Sequence, residues 1–117
     1  MPTVKLPDFD DMMRLANKIS DLLKQRLMLE AEISFEEADI TINATNTIQV
    51  NGKPPSMEYI KNSYLIVGMD GGLKDKRKQL ADVTAELDRS RLMLQINRDM
   101  LDVYRTESAN ERAASLA

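Results

Sequence analysis

The chain has 117 residues, 30% of them charged, with a net charge of -3 and a pI of about 5.0, so bulk charge alone does not bind it to nucleic acid. Cysteine and histidine are both absent, which removes disulfides, thiol chemistry, the usual general base and the commonest metal ligand. With no tryptophan and 4% aromatic residues, the core must be built from Leu, Ile, Val and Met, in one domain or one long hairpin.

Residues 1–7 read as an extended arm bracketed by Pro2 and Pro7, without the apolar stretch of a secretion signal. Helix A is predicted over residues 8–40. Asp8 suits its N-cap, and Asp10 and Asp11 complement the dipole in its first turn. Met12, Leu15, Ile19, Leu22, Leu29, Ile33 and Ile40 keep a 3–4 rhythm, interrupted by Arg26 and Glu36. Residues 41–55 change character. Thr41, Asn43, Thr45, Asn46 and Thr47 are poor helix formers, while Ile40, Ile42, Ile48 and Val50 alternate with polar residues. Either a short β-hairpin or an irregular loop fits, with Asn51-Gly52 as a turn.

Pro54-Pro55-Ser56 stops the chain and restarts it, with Ser56 as the cap of a helix beginning at Met57. A helical segment over residues 56–108 is predicted, with a bend or short break at residues 68–72. Gly68, Gly71 and Gly72 fall there, and each glycine inside a helix costs about 1 kcal/mol relative to alanine. Val67 would share the apolar face of Tyr59, Ile60 and Tyr64, and Asp70 with its two glycines fails to match a calcium loop. Residues 109–117 read as a fraying tail. No apolar run is long enough to span a bilayer; the longest is Tyr64 to Val67.

Leu73, Leu80, Leu87, Leu94 and Leu101 recur every seven residues, the mark of a helix packed lengthwise on another helix. If these are heptad position a, then Val83, Ser90, Asn97 and Tyr104 are d, and Met93, Ile96, Met100 and Val103 add apolar surface beyond the seam. Position e carries Arg77, Arg91, Arg98, Arg105 and Arg112. Such a row is either flanking charge that pairs across the seam or a contact for a polyanion. The acidic block Glu30, Glu32, Glu36, Glu37 and Asp39 and the basic block Lys74, Lys76, Arg77 and Lys78 are expected to pair when the chain folds back.

A turn near residues 46–56 predicts an antiparallel hairpin in which Ile33 faces Gly68, Arg26 faces Asp75, Leu15 faces Glu86 and Phe9 faces Leu92. Helix A is then used up, and Met93 to Tyr104 has no partner within the chain. Self-association is the expected answer, through Leu87, Met93, Leu94, Ile96, Asn97, Met100, Leu101 and Tyr104. The carboxylate pairs Glu32 with Glu36 and Asp82 with Glu86 have the spacing of a bundle metal site but lack the histidine that completes one.

The stretches Asn51-Gly52-Lys53-Pro54-Pro55-Ser56-Met57 and Val103-Tyr104-Arg105-Thr106-Glu107-Ser108-Ala109-Asn110-Glu111-Arg112 resemble small coiled-coil proteins encoded by phages and prophages. The resemblance covers the second half of the chain and implies an accessory or assembly role, with no activity to carry over. The expectation is a mainly α, long antiparallel helical hairpin or coiled coil, with a short β-hairpin or loop at its turn. It is expected to be a cytoplasmic, non-enzymatic homo-oligomer without cofactor, metal or membrane, acting on a protein partner. The alternative is a nucleic-acid-binding accessory protein that uses the arginine row.

Overall fold

A computed structural model describes residues 5–66, 68 and 71–116. The start of the predicted arm, and Val67, Met69 and Asp70 in the glycine segment, lie outside the described residues. The protein is mainly α. Helix α1 spans Phe9–Thr47, a single turn α2 spans Met57–Ile60 and continues as a π-helix over Lys61–Leu65, and α3 spans Gly72–Leu116. No helix among the described residues is long and apolar enough to cross a membrane.

Asp8 caps α1 as its sequence suggests: its Oδ1 accepts the Asp10 backbone N–H at 2.8 Å. The far end differs from expectation, since α1 continues seven residues past Ile40, to Thr47. Two effects override the weak helix propensity of the Thr/Asn run. Thr41 Oγ1 donates to the Glu37 carbonyl at 2.8 Å and Thr45 Oγ1 to the Thr41 carbonyl at 2.7 Å, so these hydroxyls are satisfied inside the helix. Ile33, Ile40 and Ala44 meanwhile share one buried face at helical spacing, whereas Ile42, which the strand reading placed with Ile40, is 58% exposed. The predicted β-hairpin is therefore replaced by helix and one isolated antiparallel bridge between Val50 and Lys53. The bridge closes on Asn51 and Gly52, whose φ of 55° and 77° suit a type I′ turn.

Ser56 caps α2 by accepting the Tyr59 N–H at 3.2 Å. The π-helical turn that follows gives way at Gly68, which has φ +81° and donates its N–H to the Tyr64 carbonyl at 2.6 Å. A Cβ on Gly68 would stand 3.2 Å from the Leu73 backbone nitrogen, so this glycine lets the chain pass close to the start of α3. At the other end α3 holds through Leu116, and the predicted tail from 109 is helical up to there.

The contacts group into two compact units. The first comprises Met1–Leu23 with Ala85–Ala117; the second is Lys24–Thr84. In the second unit Ile33, Ile40 and Leu73 form a core covered by Tyr64, Leu65 and Leu80, and Ile60 is also fully buried. The predicted charge blocks meet there: Lys76 Nζ lies 2.8 Å from Glu36 and Arg77 2.6 Å from Glu37. In the first unit Pro7, Leu22, Leu87 and Ser90 are the buried residues among those described. Within each unit α1 and α3 run antiparallel, but not in the predicted register. Ile33 meets Leu73 in place of Gly68, and Glu36 meets Lys76, so each position of α1 faces residues further along α3 than predicted, as follows from the longer α1 and the α2 segment inserted before α3.

Candidate interaction surfaces

Heptad position a of α3 points inward as the leucine repeat predicts. Leu73 and Leu87 are fully buried, and Leu80, Leu94 and Leu101 are half-buried. Leu87 is thereby removed from the expected interface, because it has no surface left to offer a partner. Asn97, Met100 and Tyr104 are half-buried. Leu92, Met93, Ile96 and Val103 are exposed, at 62%, 49%, 47% and 44%. The beginning of the expected overhang nevertheless has a neighbour in its own chain. Met93 and Asn97 line a groove of about 390 Å³ with Leu15, rimmed by Asp11, Arg14 and Lys18 of α1. The register shift is the cause: it brings the beginning of α1 opposite the mid-nineties of α3.

The arginine row divides. Arg77 is taken up by structure, donating to the Leu65 and Ile66 carbonyls that end the π-helical turn and pairing with Glu37, so it leaves the proposed polyanion set. Arg112 lies against its own helix, with Nε donating to the Ser108 carbonyl at 3.4 Å. Arg91, Arg98 and Arg105 are exposed and form no ion pair among the described residues. Their edge lies opposite the one where Lys18 meets Glu86. Hydrogen bonding from Lys18 and then its charge hold the Glu86 carboxyl below the usual range, against a smaller opposing effect of desolvation, and the charge of Arg89 at 3.6 Å adds the least.

Two of the carboxylates with metal-site spacing already have cationic partners, Glu36 in Lys76 and Glu86 in Lys18. Among the described residues no group of three or more acidic, His or Cys side chains could hold a metal ion. Glu32 and Asp82 instead border an open groove of about 410 Å³ floored by Met28, Leu29 and Val83.

One surface escaped the heptad reading. Outside the buried seam of α1 lie Phe9, Met13, Ala16, Ser20 and Leu23 in the first unit, and Met28, Ala31, Phe35, Ala38 and Ile42 in the second. All are exposed except the half-buried Leu23, with Met13 at 62% and Phe35 at 72%. The signal was present as a second 3–4 rhythm, hidden because alanine and serine alternate with the large residues. No family model matches the chain, and none of the curated proteins or solved structures compared with it matches either.

Proposed function

We propose that the protein is a non-enzymatic interaction or assembly protein that works as a homo-oligomer, with the distal face of α3 as one association surface. The observation that carries this reading is the row Leu92, Met93, Ile96 and Val103, each 44% or more exposed, beside the half-covered Leu94, Met100, Leu101 and Tyr104. A contiguous apolar row of this kind marks an association site in soluble chains. The resemblance to phage-encoded coiled-coil proteins supports an accessory or assembly role in a host cytoplasm. Light scattering coupled to size exclusion tests the reading: a multiple of the 13.3 kDa chain mass is expected, and a folded monomer at micromolar concentration overturns it. A second reading, polyanion binding, is favoured by the exposed Arg91, Arg98 and Arg105. It predicts DNA binding that weakens steeply with salt, and no binding at low salt ends it.

A further inference from the structure

We propose that the open edge of the second unit is a docking groove for a cationic amphipathic helix of another protein, which lays its apolar face on Met28, Leu29 and Val83 and its lysines or arginines against Glu32 and Asp82. The groove belongs to a different unit from the distal face of α3, and its occupancy does not require self-association.

The α1–α3 seam of this unit has two edges, and the chain covers one of them. There Arg77 holds the Leu65 and Ile66 carbonyls at the end of the π-helical turn, and its guanidinium pairs with Glu37. Tyr64 and Leu65 of the same segment pack against the core. Glu32 on α1 and Asp82 on α3 each stand five residues from Glu37 and Arg77, which in a helix is about 140° round, on the other edge. The groove on that edge, about 410 Å³, is lined by α1 and α3 alone, and Met28 on its floor is 53% exposed. An apolar groove between two helices is the seat of a further helix.

Charge defines what fits it. Glu32 and Asp82 flank the apolar floor from opposite helices, and neither has an ion-pair or hydrogen-bond partner among the described residues. A seven-residue step repeats the arrangement: Asp39 follows Glu32 on α1 and Asp75 precedes Asp82 on α3, both exposed and equally without a partner among the described residues. Two carboxylates on each helix thus recur about 10.5 Å apart, the length of two turns. The cation at this end, Lys76, is engaged by Glu36 at 2.8 Å. An apolar strip between two acidic rows complements a helix with an apolar stripe and a lysine or arginine row on each side. It repels the phosphates of nucleic acid and of anionic lipid.

The chain's own exposed helical rows lack that pattern. Leu92, Ile96 and Val103 are bordered by Asp88 and Asp99, each four residues before a member of the row. Asp10 lies three residues before Met13, and Asp39 lies four after Phe35 and three before Ile42. A second copy using any of these rows brings acid against acid, so the occupant is a different chain.

The probe is a synthetic five-turn helix of leucine and lysine with the leucines on one face, titrated into the full chain by calorimetry at physiological salt. It should bind, the same helix with glutamate for lysine should not, and a scrambled peptide of equal composition should bind at least tenfold more weakly. Glu32→Gln with Asp82→Asn should weaken the leucine–lysine helix at least tenfold, and neither side chain has a partner to lose. Met28→Lys should abolish binding with helicity unchanged. Asp88→Asn with Asp102→Asn, two exposed acids of the first unit, should leave the affinity within about twofold. Equal weakening by the two double variants would mean attraction by bulk charge and overturn the proposal, as would a leucine–lysine helix that does not bind or a scrambled peptide that binds as well. If Met28→Lys lowers the mass of the peptide-free assembly, a second copy fills the groove and the proposed partner is wrong.

Discussion

The second unit, Lys24–Thr84, settles its apolar and charged groups internally: three large residues close a core, and Lys76 and Arg77 each find a glutamate on α1. The first unit is built from the same two helices with the same 3–4 rhythm, yet from those helices it buries only Leu22, Leu87 and Ser90 among its described residues. It leaves Met93, Ile96 and three arginines facing outward. The difference lies in what packs across the seam. The second unit also has Ile60, Tyr64 and Leu65 from the α2 and π-helical segment laid over it, whereas in the first unit the described residues beyond α1 and α3 are only those of the arm. Two helices alone cover a narrow stripe, and a helix apolar on more than one side needs further neighbours.

The largest effect expected from this contrast is at Leu73. Leu73→Ala should cost about 2–5 kcal/mol in urea denaturation, because Ile33, Ile40 and Gly68 surround a fully buried side chain. The loss should not depend on protein concentration. A cost below about 1 kcal/mol would mean that the second unit is not the self-sufficient one.

Gly68→Ala comes next, at roughly 1–3 kcal/mol, since its φ of +81° is unfavourable for a side chain and the new Cβ would press on Leu73. Gly71→Ala offers the comparison: it has the same sign of φ but open space around it, so it should cost less. Equal costs would show that backbone strain alone matters and that close packing against Leu73 does not.

Ile96→Ala should change stability by less than about 1 kcal/mol at low protein concentration, because the side chain is already 47% exposed. At high concentration the loss should grow, as mass action predicts for a residue buried only in an assembly. A concentration-independent effect argues that Ile96 serves its own chain alone.

The contrast between the units was partly legible in the sequence. The leucine heptads and the a/d rhythm of α1 announced two helices packed lengthwise, and the acidic and basic blocks announced where they would pair. Ser56 and Asp8 announced their caps. The extent of α1 was not legible, because threonine propensity argues for strand while the i−4 hydroxyl bonds and the burial of Ala44 appear only once the helix has a neighbour. Register failed for a related reason. Heptads repeat, so the pattern itself fits several alignments seven residues apart, and the choice is made by the α2 segment and by where Gly68 lets the chain return. Arg77 looked like its four companions in the row, and nothing in its own position showed that two orphan carbonyls would claim it.

The smallest expected effect probes the edge of the first unit. Lys18 donates to Glu86 and lowers its pKa, so folding favours the charged carboxylate. A carboxylate with a depressed folded pKa contributes stability above the ordinary carboxylate range, and that contribution disappears as the pH falls through the lower, folded value. Glu86→Gln should therefore flatten the acid side of the melting-temperature profile slightly, with the curves converging at the lowest pH. Both side chains are at least one-third exposed, so the interaction is a screened surface pair and its effect is small. At 1 M salt, where the screening length is about 3 Å, the native and Glu86→Gln curves should run parallel. Parallel curves already at low salt would mean that the Lys18–Glu86 contact adds nothing to the first unit, leaving Leu22, Leu87 and the outward apolar rows as what holds it in place.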